Sequence, residues 1–464
     1  MKRRAEIREF SPGHTRRSLW QALLLLGALL VLLGGSPWRT EAGEVLPTIF
    51  GAISMGDAVD LALQHSRKIK AASADERVMV SMRKESFSGF LPQVSANGYL
   101  VSQNMVGNIY NSAGDTMARN YQLFGTNYGQ DLNITAMWPI FSGLRTYYGH
   151  KAAGARAESA TFMLRGTETE VAMQARLDYI AAVRERENTR VTGELLKQTE
   201  ERLRVSREEL AAGRVARFNV LREEAELANV IQMDTMARNQ AALALIALKT
   251  TLGVDLSSPI SVSESLPYEA TTVSVPDGVQ QAQESNPDVQ AAHKQVEAAE
   301  AEVRMAYGRY LPDVSLTWMY DWQRTRNRDE AYASPNGYSG GIVLTIPLFD
   351  GFMRENAVGT ARAKMDKARE LEMQAQQQVA KEVNQAALML AAAERNVEAS
   401  RKGVEQAEEN FRIVQERYAG GRGIQVEVLD AQTALTRGRF NAVSALADHQ
   451  AALAMWLKAT GRIR

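Results

Sequence analysis

Glu427 and Asp430 stand three residues apart, just beyond the glycine-rich stretch Tyr418-Ala419-Gly420-Gly421-Arg422-Gly423. On a helix that spacing puts both carboxylates on one face, where like charges repel one another and attract cations. Other groups able to do chemistry are scattered or missing. The five histidines (His14, His65, His150, His293, His449) lie far apart in sequence, and the absence of cysteine removes disulfides, thiolate metal sites and a cysteine nucleophile. No Walker-type phosphate loop, His-Glu-x-x-His or Gly-x-Ser-x-Gly occurs. The Gly420 to Gly423 cluster follows helical sequence, whereas a dinucleotide fingerprint follows a strand. With 54 basic against 54 acidic residues there is no electrostatic footprint for nucleic acid. An enzyme, a cofactor and a metal site are all unexpected, and the question becomes what holds two carboxylates in place.

The N-terminus reads as an export signal over residues 1–42. Lys2, Arg3, Arg4, Arg8, Arg16 and Arg17 precede the apolar run Ala22 to Leu33, and Thr40-Glu41-Ala42 follows as a cleavage region. The rest of the chain is a duplication. Ser54 to Val59 recurs 220 residues on as Ser274 to Val279, and Leu91-Pro92-Gln93-Val94-Ser95 as Leu311-Pro312-Asp313-Val314-Ser315. Farther along, the offset is 208: Pro139-Ile140-Phe141-Ser142-Gly143 matches Pro347-Leu348-Phe349-Asp350-Gly351, Gly213-Arg214 matches Gly421-Arg422, and Gly253 matches Gly461. The first repeat is expected over 43–254, a linker over 255–273 and the second repeat over 274–464, with a 12-residue insertion lengthening a loop between Pro92 and Pro139.

Each repeat predicts the same elements. A helix of about 35 residues capped by Ser54 or Ser274 should end before Pro92 or Pro312. Alternation then signals strands: Val314, Leu316, Trp318, Tyr320 and Trp322 share one face, and Leu132, Ile134, Ala136 and Trp138 do so in the first copy. The two hairpins are expected to turn through polar loops near Asn104 to Asn127 and Arg324 to Asn336. Proline-free tracts follow, predicting helices of about 65 residues, or ~100 Å. In the second, Val383, Leu390, Val397, Val404 and Phe411 recur every seven residues, as in a coiled coil. The glycines at 213 and 420–423 let each tract fold back as a helical hairpin. Four strands are too few for a membrane barrel, so the sheet must be shared between subunits. Heptads alone would also fit a coiled-coil envelope spacer or adaptor without a pore, but that would leave the two apolar-faced hairpins without a purpose.

These motifs, each present twice and in order, resemble the TolC family of outer-membrane channels, also called outer membrane efflux proteins, over about residues 50 to 462. The resemblance implies a mainly α fold with a membrane β-barrel. A homotrimer would build a 12-strand barrel in the outer membrane lipid and a helical tunnel across the periplasm. It implies a passive exit duct working with a periplasmic adaptor and an inner-membrane ABC or proton-driven transporter, in drug or metal efflux or in type I protein secretion. It also places Glu427 and Asp430 in a selectivity ring at the tunnel's closed end, with Tyr418 and Arg422 helping to hold it shut. Asn219 stands where an acidic partner can occur in the first copy, and Gly423 where a gating arginine can occur. The turns at Gly213, Arg214, Gly421 and Arg422 are the expected adaptor-docking tips. Arg214→Glu with Arg422→Glu should abolish export in cells while the trimer stays intact by size-exclusion chromatography; normal export by that variant would remove the docking assignment.

Overall fold

A computed structural model describes residues 47–110, 116–263, 266–326 and 336–462, so the export segment lies outside the described residues. In chain order the first repeat holds β1 (Gly51–Ile53), α1 (Met55–His65), α2 (Arg67–Ser86), β2 (Gln93–Tyr110), β3 (Thr116–Ser142), α3 (Arg145–Ala211) and α4 (Arg217–Leu252). The linker contributes β4 (Ile260–Val262). The second repeat holds α5 (Val275–Ser285), α6 (Pro287–Tyr307), β5 (Asp313–Arg326), β6 (Asn336–Thr345), α7 (Met353–Ala419) and α8 (Gln425–Ala459). Both α3 and α7 run 67 residues, about 100 Å at the helical rise. The expected seam is buried: Val383, Leu390 and Val397 face inward with Ala386 and Ala393.

Three expectations change. The single helix opening each repeat is two. In the second repeat Pro287 begins α6, so Asn286 leaves the helical region at ψ 126° and its side chain caps Asp288 N at 2.8 Å. In the first, Ser66 makes the same break at ψ 124° without a proline. Each break receives the end of its own repeat. Gly253, at φ +66°, abuts the His65 carbonyl, and Gly461, at φ +71°, abuts Ser285, leaving no room for a Cβ at either glycine. The second change concerns caps. Ser54 forms the full capping box with Asp57, whereas Ser274 makes no side-chain cap. Pro276 removes the second-position N–H there, and the Ser274 hydroxyl does not take up that of Asp277 at the third. Third, the insertion lengthens strands as well as any loop: β2 continues to Tyr110 and β3 starts at Thr116, well inside the expected loop. Register shifts at Met105, Gly107 and Ile109 break the two-residue period there, which hides the strands from a reading of alternation.

The four long strands form one antiparallel sheet in the order β2-β3-β5-β6. Val94 and Ala96 share a face with Ile134, Ala136, Trp138, Leu316, Trp318, Tyr320, Ile342 and Leu344 by register, giving an apolar surface. The opposite face carries Ser95, Asn97, Asn133, Thr135, Ser315 and Thr317, with Ser95 Oγ to Thr135 Oγ1 at 2.9 Å and Asn97 Nδ2 donating to Asn133 Oδ1 at 3.0 Å. At each return from sheet to helix, two left-handed residues stand in tandem, Gly143-Leu144 and Gly351-Phe352. A non-glycine residue in that region is strained by about 1–3 kcal/mol, so the reversal is held by its surroundings.

Midway along the helices, β1 and β4 pair in parallel and pack with Tyr179, Leu248, Leu252 and Val59 into one core. Tyr179 donates to the Ile53 carbonyl at 3.1 Å and Arg186 to the Val262 carbonyl at 2.6 Å. A second core gathers Val383, Leu390, Trp456 and Ala282. Beside it the linker lies over α7 and α8, with Thr271 N donating to Glu394 Oε1 at 3.0 Å. His449 of α8 is fully buried there, its ring 5.0 Å edge-on from Tyr268, and neither ring nitrogen has a hydrogen-bond partner among the described residues. Burial pushes the imidazole below its ordinary value, with the Glu394 charge opposing more weakly. A depressed histidine makes the folded state the poorer proton binder, so its contribution is complete above about pH 6.5 and is lost as pH falls from there through the lower folded value. The hydrogen-exchange protection of residues 266–273, measured against the intrinsic exchange rate at each pH, should therefore fall between pH 7.5 and pH 5, and His449→Leu should flatten that dependence; an equally steep response in the variant would exonerate His449.

Candidate functional site

The two helical hairpins turn by one construction. In α3, Gly213 N donates to Leu210 O at 3.0 Å and Arg214 N to Glu209 O at 2.8 Å; after α7, Gly421 N donates to Tyr418 O at 3.0 Å and Arg422 N to Arg417 O at 2.9 Å. These are paired Schellman closures with the left-handed glycines the motif needs, φ +71° and +72°. Arg214 and Arg422 therefore serve the turns through their backbones, and their side chains point into solvent. Gly423 has its own reason: a Cβ there would press on the backbone of Tyr418 at 3.1 Å. Just above each tip an arginine sits between two glutamates, Glu201-Arg204-Glu208 and Glu409-Arg412-Glu416, at the same 208-residue offset. These pairs are exposed, and solvent screening leaves them little stabilising value.

Glu427 and Asp430 both lie in the first two turns of α8, Asp430 exposed and Glu427 partly covered. The guanidinium beside Glu427 is that of Arg417, at 3.9 Å, which also donates to the Arg422 carbonyl at 3.5 Å. Tyr418 packs with Phe411 on Val414, Val428 and Ala431. Burial raises its hydroxyl above the ordinary phenol value, and the Glu209 and Glu223 charges add to that. Asn219 takes part through its backbone, its carbonyl accepting from Gln425 Nε2 at 3.3 Å.

That contact belongs to a polar cluster the sequence reading missed. Gln425 Nε2 also donates to Glu223 Oε1 at 2.7 Å, and Arg202 Nε reaches Glu223 Oε2 at 3.4 Å. Arg202 further donates to Gln432 and, at 3.0 Å, to Thr199 Oγ1, while Gln432 Nε2 donates to Gln198 Oε1 at 3.3 Å. Glu223, 2% exposed, thus ties α3 and α4 to α8, joining the two hairpins near their tips. The available signal was spacing. Over the part of α4 nearer the tip the buried positions are Val220, Glu223, Val230 and Asp234, so two acids occupy an inward stripe where apolar residues are the rule. Asp234 is held by Thr192 Oγ1 at 2.9 Å and Arg238 Nε at 2.6 Å.

Among the described residues no group of three or more His, Asp or Glu side chains could hold a metal, and no helix is long and apolar enough to cross a membrane. The family described as outer membrane efflux protein matches residues 58–254 and 278–462, and the chain belongs to it. Outer membrane efflux protein BepC of Brucella suis is 26% identical over 97% of this chain and 92% of its own. Pyoverdine export outer membrane protein OpmQ of Pseudomonas aeruginosa is 23% identical over 96% of each chain. The outer membrane protein VceC of Vibrio cholerae superposes with a TM-score of 0.72 at 19% identity, over 88% of this chain and 96% of its own. The fold is thus that of the TolC-like channels, and the family is one of the outer membrane.

Removing Arg202 would leave a buried carboxylate without its cation, a defect worth about 3–5 kcal/mol. Denaturant unfolding of the detergent-solubilised protein should show a loss of that size for Arg202→Met and recovery of most of it in Arg202→Met with Glu223→Leu. A double variant as unstable as the single would mean that Glu223 is not the group left exposed.

Proposed function

We propose that the chain is one subunit of a homotrimeric exit channel, which conducts cargo passively from an inner-membrane transporter and periplasmic adaptor across the outer membrane. The observation that carries this reading is the sheet with one apolar face and one polar face that includes Asp313 and Asp321, continuous with helical hairpins about 100 Å long. A lipid-facing wall needs the first face, an aqueous bore the second, and a span of the periplasm the third. The names of BepC and OpmQ, which speak of efflux and pyoverdine export, support an export role.

The tips would form the gate. Threefold repetition brings three copies of Glu427 and Asp430 around one axis, a cation-attracting ring, with Arg417 bracing Glu427 from behind. Tyr418 packs inside the second hairpin, and the Gln425–Glu223–Arg202 cluster fastens that hairpin to the first, so opening requires that fastening to part. The exposed turns at Gly213-Arg214 and Gly421-Arg422 are the surface offered to the adaptor. The signal segment 1–42 delivers the chain to the periplasm. Both secreted proteins and small toxic compounds fit this duct, and comparing the culture medium and the toxicity profile of a deletion strain with its parent separates them.

Planar-bilayer recordings test the reading. The wild type should form cation-selective pores of low conductance, and Glu427→Ala with Asp430→Ala should weaken both the selectivity and block by multivalent cations severalfold. Absence of any conductance would remove the channel itself; conductance with unchanged selectivity would remove only the ring.

A further inference from the structure

We propose that two stacked arginine–tyrosine pairs beneath the apolar face of the sheet, Arg304 on Tyr148 and Arg362 on Tyr307, bind the phosphate of an anionic phospholipid in the periplasmic leaflet of the outer membrane. The proposal rests on the exit-channel reading above, in which the apolar face meets lipid, and adds to it the class of lipid that the protein selects.

Two contacts fix the side on which these residues stand. Trp138, on the apolar face, donates from Nε1 to the Phe90 carbonyl at 2.9 Å, so the end of the first helical segment comes up beneath that face. Tyr310 is the counterpart of Phe90 at the 220-residue offset. On the other side Asp313, which belongs to the polar face, pairs with Arg145, and about three turns along the same face of α3 Arg156 pairs with Glu302. Arg304 stands two residues beyond Glu302, about 200° around α6. It therefore lies on the lipid side. Depth agrees with this. Tyr307 and Arg304 precede Tyr310 by about 5 and 9 Å of helix, and the headgroup layer extends roughly 5–7 Å beyond the hydrocarbon.

The chemistry suits a phosphate. The Arg304 guanidinium lies 5.7 Å from the centre of the Tyr148 ring, and that of Arg362 lies 5.6 Å from the Tyr307 ring. Arg362 also donates to the Tyr307 hydroxyl. Stacking on a ring orients a guanidinium while its N–H groups stay able to grip an oxyanion in bidentate fashion. The carboxylates on the same helix are engaged elsewhere, Glu300 by Arg369 at 2.9 Å and Glu302 by Arg156. Arg304, Tyr307 and Arg362 are exposed, and the helices that carry the four residues pack on one another within one copy. A zwitterionic headgroup would bring its own ammonium toward two guanidiniums, and an anionic one brings negative charge alone.

The duplication supplies an internal control. Lys84 and Phe87 occupy the places of Arg304 and Tyr307, and Gly154 occupies that of Arg362. The first repeat thus keeps a basic residue at the same depth but lacks the second arginine, and the paired site belongs to the second repeat.

Spin-labelled phosphatidylglycerol and phosphatidylcholine, each at trace level in phosphatidylcholine vesicles carrying the reconstituted protein, test the site through the fraction of label immobilised. At low salt the wild type should prefer phosphatidylglycerol by about fivefold or more, since each basic residue at an anionic surface contributes about that factor. Arg304→Gln with Arg362→Gln should bring the preference below about twofold, while Lys84→Gln keeps it. Arg304→Lys with Arg362→Lys, which retains charge without the planar fork, should recover only part. Inorganic phosphate should displace no more labelled lipid than chloride at equal ionic strength. The site is overturned by a wild type without preference, by an unchanged glutamine variant, or by an equal loss in Lys84→Gln, which would mean diffuse surface charge. Full recovery in the lysine variant, or stronger displacement by inorganic phosphate, also overturns it, the first by removing the stacked geometry and the second by making the site one for free anions. Failure of the wild type to insert into vesicles would instead overturn the lipid-facing reading of the sheet.

Discussion

A backbone N–H or C=O without a partner in hydrocarbon costs several kcal/mol, and the sheet of this chain ends in two rows of them, along β2 and β6. That single constraint organises the molecule. A sheet with one apolar face suits lipid only when its edges are joined, and an internally duplicated chain can meet the requirement with copies of itself. The long helices continue from the sheet, α3 two residues after β3 and α7 after the short segment 346–352 that follows β6. The tandem left-handed residues at 143–144 and 351–352 are where the direction of a tilted strand becomes that of a long helix.

Features that obey a period or sit on a conformationally special residue were legible in the sequence. The seam from Val383 to Val414, the turns at Gly213 and Gly421, and the alternating faces of β5 follow from side-chain spacing or from the backbone freedom of glycine. What escaped lacks a local signature. Ser66 breaks its helix without a proline, beside the place where Gly253 meets the His65 carbonyl, whereas Pro287 makes the same break locally. Leu144 and Phe352 adopt a conformation that their own side chains disfavour. The far half of the first hairpin loses its alternation to successive bulges. At the tip, Arg417 and Glu223 read as ordinary surface charges until the packing of α8 on α7 and α4 shows what they meet. The acid pair on α8 was visible, and its supporting residues were not.

The join between hairpins near the tips differs in kind from the cores nearer mid-helix. Around Tyr179 and Leu390 the contacts are mostly apolar and non-directional, with a few hydrogen bonds such as Tyr179 to the Ile53 carbonyl at their margin. Around Glu223 they are hydrogen bonds and ion pairs with narrow angular limits, in surroundings where an unmatched charge is costly. A small rotation of one hairpin on the other would weaken all of them together.

The two apolar cores are drawn from separate stretches of chain: every residue of one falls between Ile49 and Leu266, and every residue of the other between Val273 and Ala459. A polypeptide that enters a compartment N-terminus first presents the earlier stretch complete before the later one is available. Each half can thus close its own core before the other is present. Contacts between the halves, such as β3 on β5 and α6 on α3, form only once the second half has arrived.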